Sequence, residues 1–223
     1  MSITIRRNFE RPSAQSVAGF KGAPSGFVVD AQGRRGAIEH TIKPIIAPGQ
    51  FAGPAVTVWT IPSDNLTPWA ALTIVKPGDV LVIATENCES ASVVGDIYLG
   101  MAKNAGVAAV ITDGLVRDLD GIEQVGLPLF ARGVSPNSPQ KNGPGRIGLP
   151  VSVGGMAIDS GDMIVGDRNG VVVVPRQTIP AVLKELEKVR AKEKDMDASV
   201  AAGSKFPAWI PDYLANTPMI EVG

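Results

Sequence analysis

Residues 95–118 read GDIYLGMAKNAGVAAVITDGLVRD. The stretch is rich in Ala and Val, yet it opens on Asp96 and closes on Arg117-Asp118. Tyr98, Met101, Ala102 and Ala105 fall at i, i+3, i+4 and i+7, the spacing of one helix face. Gly106 suits the end of that helix, and Asp96 falls at or near its N-cap. The run 107–112 then reads as a short buried strand, followed by GLVRD as a loop. A helix followed by a buried strand is the unit of an α/β fold, in which sites gather at the carboxyl ends of strands.

The flanking sequence repeats the pattern. AGPAVTVWTI reads as a strand in which Val56 and Val58 alternate against Thr57. PSDNLTPWAALTIV begins with turn residues and turns apolar at helical spacing through Leu66, Trp69 and Ala70. KPGDVLVIAT is a tight turn feeding a buried strand over 80–83. SGFVVDAQGRRG predicts a short helix or turn. The segment 126–155 is loop-rich with short strands, and AIDSGDMIVGDRNGVVVVP gives two turn-then-strand units. A charged helix is predicted over 179–202, followed by a tail bearing Trp209 and Tyr213 that is expected to dock on a neighbour. Short strands outnumber long helices and the two are interleaved, so an α/β or layered β/β/α domain is expected.

Composition narrows the function. With 44% hydrophobic and 19% charged residues over 223 positions, the chain can bury a core. The net charge is −1 and no basic block occurs, which argues against nucleic acid as a partner. Cys88 and His40 are the only residues of their types, so neither a disulfide framework nor a multi-His metal site is available within one chain. No apolar run approaches the roughly 18 residues of a membrane helix, and MSITIRRNFERPS lacks a signal-peptide core. The expectation is a cytoplasmic protein with no membrane partner. GPGRIG at 143–148 matches neither nucleotide-binding pattern, and Ser90 and Ser92 have no nearby His to form a triad.

Three acids stand out. Gly-Asp occurs at 78–79, 95–96, 161–162 and 166–167, but only the pair at 95–96 leads into a helix rather than a strand-like run. Asp96 either caps its own helix or stands beside its free first-turn amides, those of Ile97 and Tyr98, which can hold an anion such as a carboxylate. Arg117 and Asp118 either form a surface ion pair or provide a carboxylate-binding cation beside a metal-binding acid; in an extended loop, neighbours like these point different ways. Glu193 interrupts a 3-4-3-4 seam of Ile179, Val182, Leu186, Val189, Met196 and Val200. Either the helix has left the body there or drifts, or the seam faces another subunit and delivers the acid to its site.

PSDNL, the 95–118 stretch, LPLFARGVSP, GRIGLPVSVGG and GDRNGVVVVP together resemble the 4-hydroxy-4-methyl-2-oxoglutarate aldolases, class II pyruvate aldolases. That family also contains the regulator of ribonuclease E activity and proteins mislabelled as demethylmenaquinone methyltransferases. The resemblance spans about residues 25–203 and centres on an Asp, twenty intervening residues and Arg-Asp, here Asp96 and Arg117-Asp118. It implies a layered β/β/α swivelling-type domain over 1–177, with a C-terminal helical arm over 178–223 packing on a neighbouring subunit, in trimers or hexamers. It implies Mg²⁺ or Mn²⁺ anchored by Asp118, Asp96 ordering metal-bound water, and Arg117 on the pyruvyl group. It further implies that Gly95 and the amides of Ile97 and Tyr98 bind the substrate carboxylate, and that Glu193 reaches the site from a neighbouring copy. The implied reaction is cleavage of a 4-hydroxy-2-oxo acid to pyruvate, with oxaloacetate decarboxylation alongside. The alternative is a non-catalytic, protein-binding regulator of ribonuclease. Trp69 stands where a smaller or polar residue is expected, which leaves the substrate open.

Overall fold

Strands buried on both faces show no polar alternation, so the sequence reads them as plain apolar runs. The computed structural model, which describes residues 2–46 and 49–222, resolves each run into two faces. β1 (Ile3–Ile5), α1 (Ala14–Phe20) and α2 (Ser25–Ala31) precede β2 (Lys43–Pro44) and the long β3 (Phe51–Thr60). Three similar passages follow: α3 (Leu66–Ala71) with β4 (Val80–Ala84) and β5 (Ser92–Val94); α4 (Asp96–Asn104) with β6 (Ala109–Thr112) and β7 (Leu115–Val116); and α5 (Leu119–Val125) with β8 (Leu129–Ala131) and β9 (Gly133–Val134). Then come β10 (Gly145–Ile147), the hairpins β11 (Val151–Val153)–β12 (Met156–Ile158) and β13 (Met163–Asp167)–β14 (Gly170–Val174), and the helices α6 (Ile179–Ala201) and α7 (Ile210–Ala215).

The main sheet runs β1-β10-β3-β4-β6-β8-β2, and the β13–β14 hairpin joins it through β3. β3, β4, β6 and β8 are parallel to one another, whereas β10 and β13 join β3, and β2 joins β8, antiparallel. Leu81, Ile83 and Val110 face a core built with Tyr98, Leu99, Ala102 and Ile122 of the helices. Val80, Val82, Ala109 and Ile111 face the opposite way, onto Val153, Ile158, Ile164 and Val173 of the hairpins. The layers are therefore hairpins, sheet and helices, the expected β/β/α order. Met163, Val165, Val172 and Val174 on the outer face of β13–β14 pack on Phe20, Val28 and α6, adding a further helical cover.

The start of α6 belongs to the body. Ile179, Val182 and Leu186 are buried against α1, α2 and β13–β14, at about 1.5–3 kcal/mol each. Contact with α2 and the turn after it continues as far as Glu193, and towards its C-terminal end the helix runs clear, with Val200 68% exposed. The helix thus packs on its own body at its start and extends from it at its end. Phe206, Trp209 and Tyr213 in the tail are all exposed.

β5, β7 and β9 form a second, small parallel sheet. Each continues from β4, β6 or β8 after a break, and the order is kept. One buried acid ties two of these breaks together. The Asp113 carboxylate, between β6 and β7, accepts from the Thr85 amide at 2.6 Å, the Thr85 hydroxyl at 2.9 Å and the Asn87 amide at 3.1 Å, just after β4. The small sheet is thereby fixed at the carboxyl edge of the large one, and its own carboxyl ends point to the site.

Candidate active site

The residues that follow the small sheet meet in one cavity of about 240 Å³. After β5 come Gly95, Asp96, Ile97 and Tyr98; after β7 come Arg117 and Asp118. All six line the cavity, together with Asn65 and Trp69 from the start of α3 and Ser138 and Lys141 from the segment after β9. Three parallel passages of chain deliver an acid, a cation-acid pair and a polar loop to the same rim.

Arg117 and Asp118 do not point apart as an extended loop would require. Asp118 is left-handed, at φ 66° and ψ 50°, and caps α5. That conformation folds the two side chains together, with Arg117 Nε 3.2 Å from Asp118 Oδ2. Arg117 Nη1 also donates to Ser138 Oγ at 2.7 Å, so the guanidinium plane is held from two sides. Asp tolerates the left-handed region better than most residues, and such backbone clusters at functional sites.

Two glycines make room for the acids. A Cβ on Gly95 would lie 2.3 Å from Asp118 Oδ2, and one on Gly121 of α5 would lie 2.3 Å from Asp96 Oδ2. Each acid thus packs on a glycine of the opposite chain passage. Among the four Gly-Asp pairs, only that at 95–96 leaves its carboxylate open. Asp79 binds Arg11 twice, at 2.8 and 2.7 Å, and the Lys76 amide at 2.7 Å. Asp162 accepts two backbone amides, and Asp167 accepts two amides and the Ser25 hydroxyl. Asp96 has a single partner, the Ile97 amide next to it, at 2.6 Å.

Helix α4 starts at the residue expected at or near its cap. Gly95 is the N-cap and Asp96 the first helical residue. The Leu99 amide closes the first turn on the Gly95 carbonyl at 3.1 Å, so the preceding amides lie outside the helical ladder. A ligand carboxylate there would share the Ile97 amide with Asp96. The buried face is Tyr98, Leu99 and Ala102, whereas Met101, placed on that face by spacing, is 51% exposed. The Tyr98 ring points into the core; its hydroxyl donates to the Pro68 carbonyl at 3.1 Å, and burial pushes its phenol far above the usual range. Tyr98 therefore offers the cavity its backbone and not an acid or base.

Glu193 does not reach this cavity within its own chain. It lines a separate depression with Val189, Lys192, Asp30, Gly33 and Arg34. Ser138 and Lys141 were not legible as site residues. Their loop is placed by buried Asp64, whose Oδ2 accepts the amides of Asn142 and Gly143 while Oδ1 accepts that of Leu66 at 2.9 Å. Asp64 thus takes the first amide of α3 and anchors the loop, and Asn65 beside it, the N-cap residue of α3, lines the cavity. Gly145–Ile147 of GPGRIG is a strand paired with β3. No cluster of three His, Cys, Asp or Glu side chains occurs among the described residues, and none of their helices is long and apolar enough to cross a membrane.

The fold and sequence have known relatives. A protein of Halalkalibacterium halodurans named "Putative 4-hydroxy-4-methyl-2-oxoglutarate aldolase" is 35% identical over 182 residues, covering 82% of this chain and 87% of that one. The crystal structure of an uncharacterized protein from Pseudomonas syringae pv. tomato superimposes with a TM-score of 0.77 at 24% identity, over 88% of this chain and 97% of that one. Streptomyces coelicolor RraAS2, described as an unusual member of the RNase ES inhibitor RraA protein family, gives 0.75 at 25% identity, over 84% and 99%. Residues 26–173, the whole span from α2 through β14, match the RraA-like family description, Aldolase/RraA, and the chain belongs to that family.

Proposed function

We propose that this protein is a divalent-metal-dependent lyase that cleaves a 4-hydroxy-2-oxo acid to pyruvate and also decarboxylates oxaloacetate. The convergence of Asp96, Arg117 and Asp118 on one cavity carries this reading. The aldolase name of the Halalkalibacterium relative agrees with it. A regulator acting through its surface has no need of an open carboxylate beside a braced arginine.

The donor set fits Mg²⁺ or Mn²⁺. Two carboxylates border the cavity, and Mg²⁺ takes one or two while keeping several waters. Gly95 leaves space at Asp118 Oδ2 that any side chain would fill. Asp118 would hold the ion, with Asp96 ordering its waters; the ion supplies a Lewis acid that draws electron density from the 2-oxo group. The chain's own residues do the rest. The amides at the start of α4 bind the substrate carboxylate. Arg117, oriented by Asp118 and Ser138, faces the 2-oxo oxygen and stabilises its growing negative charge. As the C4 hydroxyl gives its proton to water, the C3–C4 bond breaks and its electron pair passes to the pyruvate enolate. A proton from water at C3 completes pyruvate, and the C4 fragment leaves as a carbonyl compound. Glu193 from a neighbouring copy completes the site in a trimer or hexamer.

The test is pyruvate release from 4-hydroxy-4-methyl-2-oxoglutarate and from oxaloacetate, followed through lactate dehydrogenase, with Mg²⁺ and then EDTA. Metal-dependent release that Arg117→Ala abolishes is expected. Absence of release with either metal overturns the reading in favour of the regulator.

A further inference from the structure

Two residues that line this cavity each carry a buried polar atom with no partner: Asn65 Oδ1 and Trp69 Nε1. One is an acceptor and the other a donor. The Asn65 amide has a fixed sense, because its Nδ2 donates at 3.0 Å to the Val93 carbonyl, which can only accept. Its oxygen is therefore the open end. The Trp69 ring is also fixed, edge to face on Tyr98 with centroids 5.1 Å apart at 81°. The two residues lie one helical turn apart, the Trp69 amide donating to the Asn65 carbonyl at 3.3 Å.

Buried polar groups in native proteins are normally paired, so an unpaired donor and acceptor on residues one helical turn apart at the same cavity ask for a ligand group that does both. A carboxylate only accepts and would face the Asn65 oxygen with like charge. An ammonium only donates and fails Trp69. A methyl satisfies neither. A hydroxyl satisfies both, taking the indole N–H and giving its own proton to the amide oxygen.

We propose that Trp69, with Asn65, forms a hydroxyl-reading subsite, and that Trp69 is a specificity-determining residue favouring 2-oxo acids with a hydroxyl beyond the pyruvyl unit. The inference rests on the lyase reading, which puts that hydroxyl on C4. It explains why an indole stands at this position: its ring packs on Tyr98 while its N–H serves the ligand. Sites built to hydrogen-bond a substrate hydroxyl discriminate strongly against analogues without it, because their own groups are then left unpaired.

The experiment compares wild type with Trp69→Phe, which keeps an aromatic ring against Tyr98 and removes the N–H together with the second ring; because the lost volume bears on both substrates, the readout is the ratio of two activities. Values of kcat and KM are measured for cleavage of 4-hydroxy-4-methyl-2-oxoglutarate and for decarboxylation of oxaloacetate, which has no C4 hydroxyl. The ratio of the two kcat/KM values is expected to fall about tenfold or more in the variant, with the fold retained by thermal unfolding. An unchanged ratio, whether both activities fall together or neither falls, overturns the subsite. A wild type inactive on both substrates overturns the lyase reading itself, and the assignment of the hydroxyl with it.

Discussion

Gly95→Ala separates the geometry of the site from the stability of the fold. Gly95 lies at φ −143° and ψ −166°, an extended conformation that alanine adopts without strain. On backbone grounds the substitution is neutral, or stabilising by about 0.4–1 kcal/mol through the unfolded chain. The obstacle is local: the new Cβ would lie 2.3 Å from Asp118 Oδ2 and 3.3 Å from Arg117 Cγ. The first contact is short by about 1 Å of ordinary van der Waals separation, so the carboxylate must move. Asp118's side chain is 40% exposed and can swing outward, so the fold survives. The swing breaks the 3.2 Å contact with Arg117 Nε and takes the acid away from the place where an ion would sit. A misplacement of about 1 Å at a reacting centre costs on the order of 100-fold, or about 2.7 kcal/mol in the barrier. Pyruvate release in Gly95→Ala should therefore fall about 100-fold while the melting temperature moves by only a few degrees. Gly100→Ala is the control within the same helix, since its Cβ would meet nothing nearer than Val125 Cγ2 at 3.9 Å. It should gain up to about 1 kcal/mol of helix stability and keep its activity. Activity within threefold of wild type in Gly95→Ala, or an equal loss in the control, would refute the cradle.

Arg11→Ala should destabilise by about 3–5 kcal/mol in urea unfolding, because Asp79 is 1% exposed and loses both guanidinium bonds; a loss below about 1 kcal/mol would show that the Lys76 amide suffices. Cys88 gives a pH dependence. Burial pushes its thiol up, but hydrogen bonds from Ser90 and Ser63 outweigh this and bring it down from 9.0 to about 7. The folded state then favours the thiolate, and the stabilisation, full above pH 9, is lost as pH falls through about 7. The stability difference between wild type and Cys88→Ala should therefore grow from pH 7 to 9 under reducing conditions and stay level below 7. A difference that shrinks over that range would mean that burial dominates.

What was legible in the sequence follows from how many residues carry each signal. The runs that became β3, β4 and β6 are long enough to show apolar continuity, and α4 shows its helical spacing even though Leu99, not Met101, completes the buried face. β5, β7 and β9 have three, two and two residues, too few for any period, yet they aim the site. The meeting of Arg117 with Asp118 depends on one left-handed residue, which no spacing announces. Ser138 and Lys141 arrive through a loop held by Asp64 from more than 70 residues away. The Gly-Asp pairs show why composition alone stops short. All four are the same dipeptide, and three of their acids take three, two and three hydrogen bonds, of which two, one and two come from chain that the topology brings to them. Asp96 receives one, from its own neighbour, because Gly121 gives α5 no side chain to place there. A carboxylate already saturated with donors is structure; one held at a cavity wall with most of its lone pairs free retains capacity for water, metal or substrate. The difference between a turn and a candidate catalytic acid thus lies in the count of donors around it, and long-range packing sets that count.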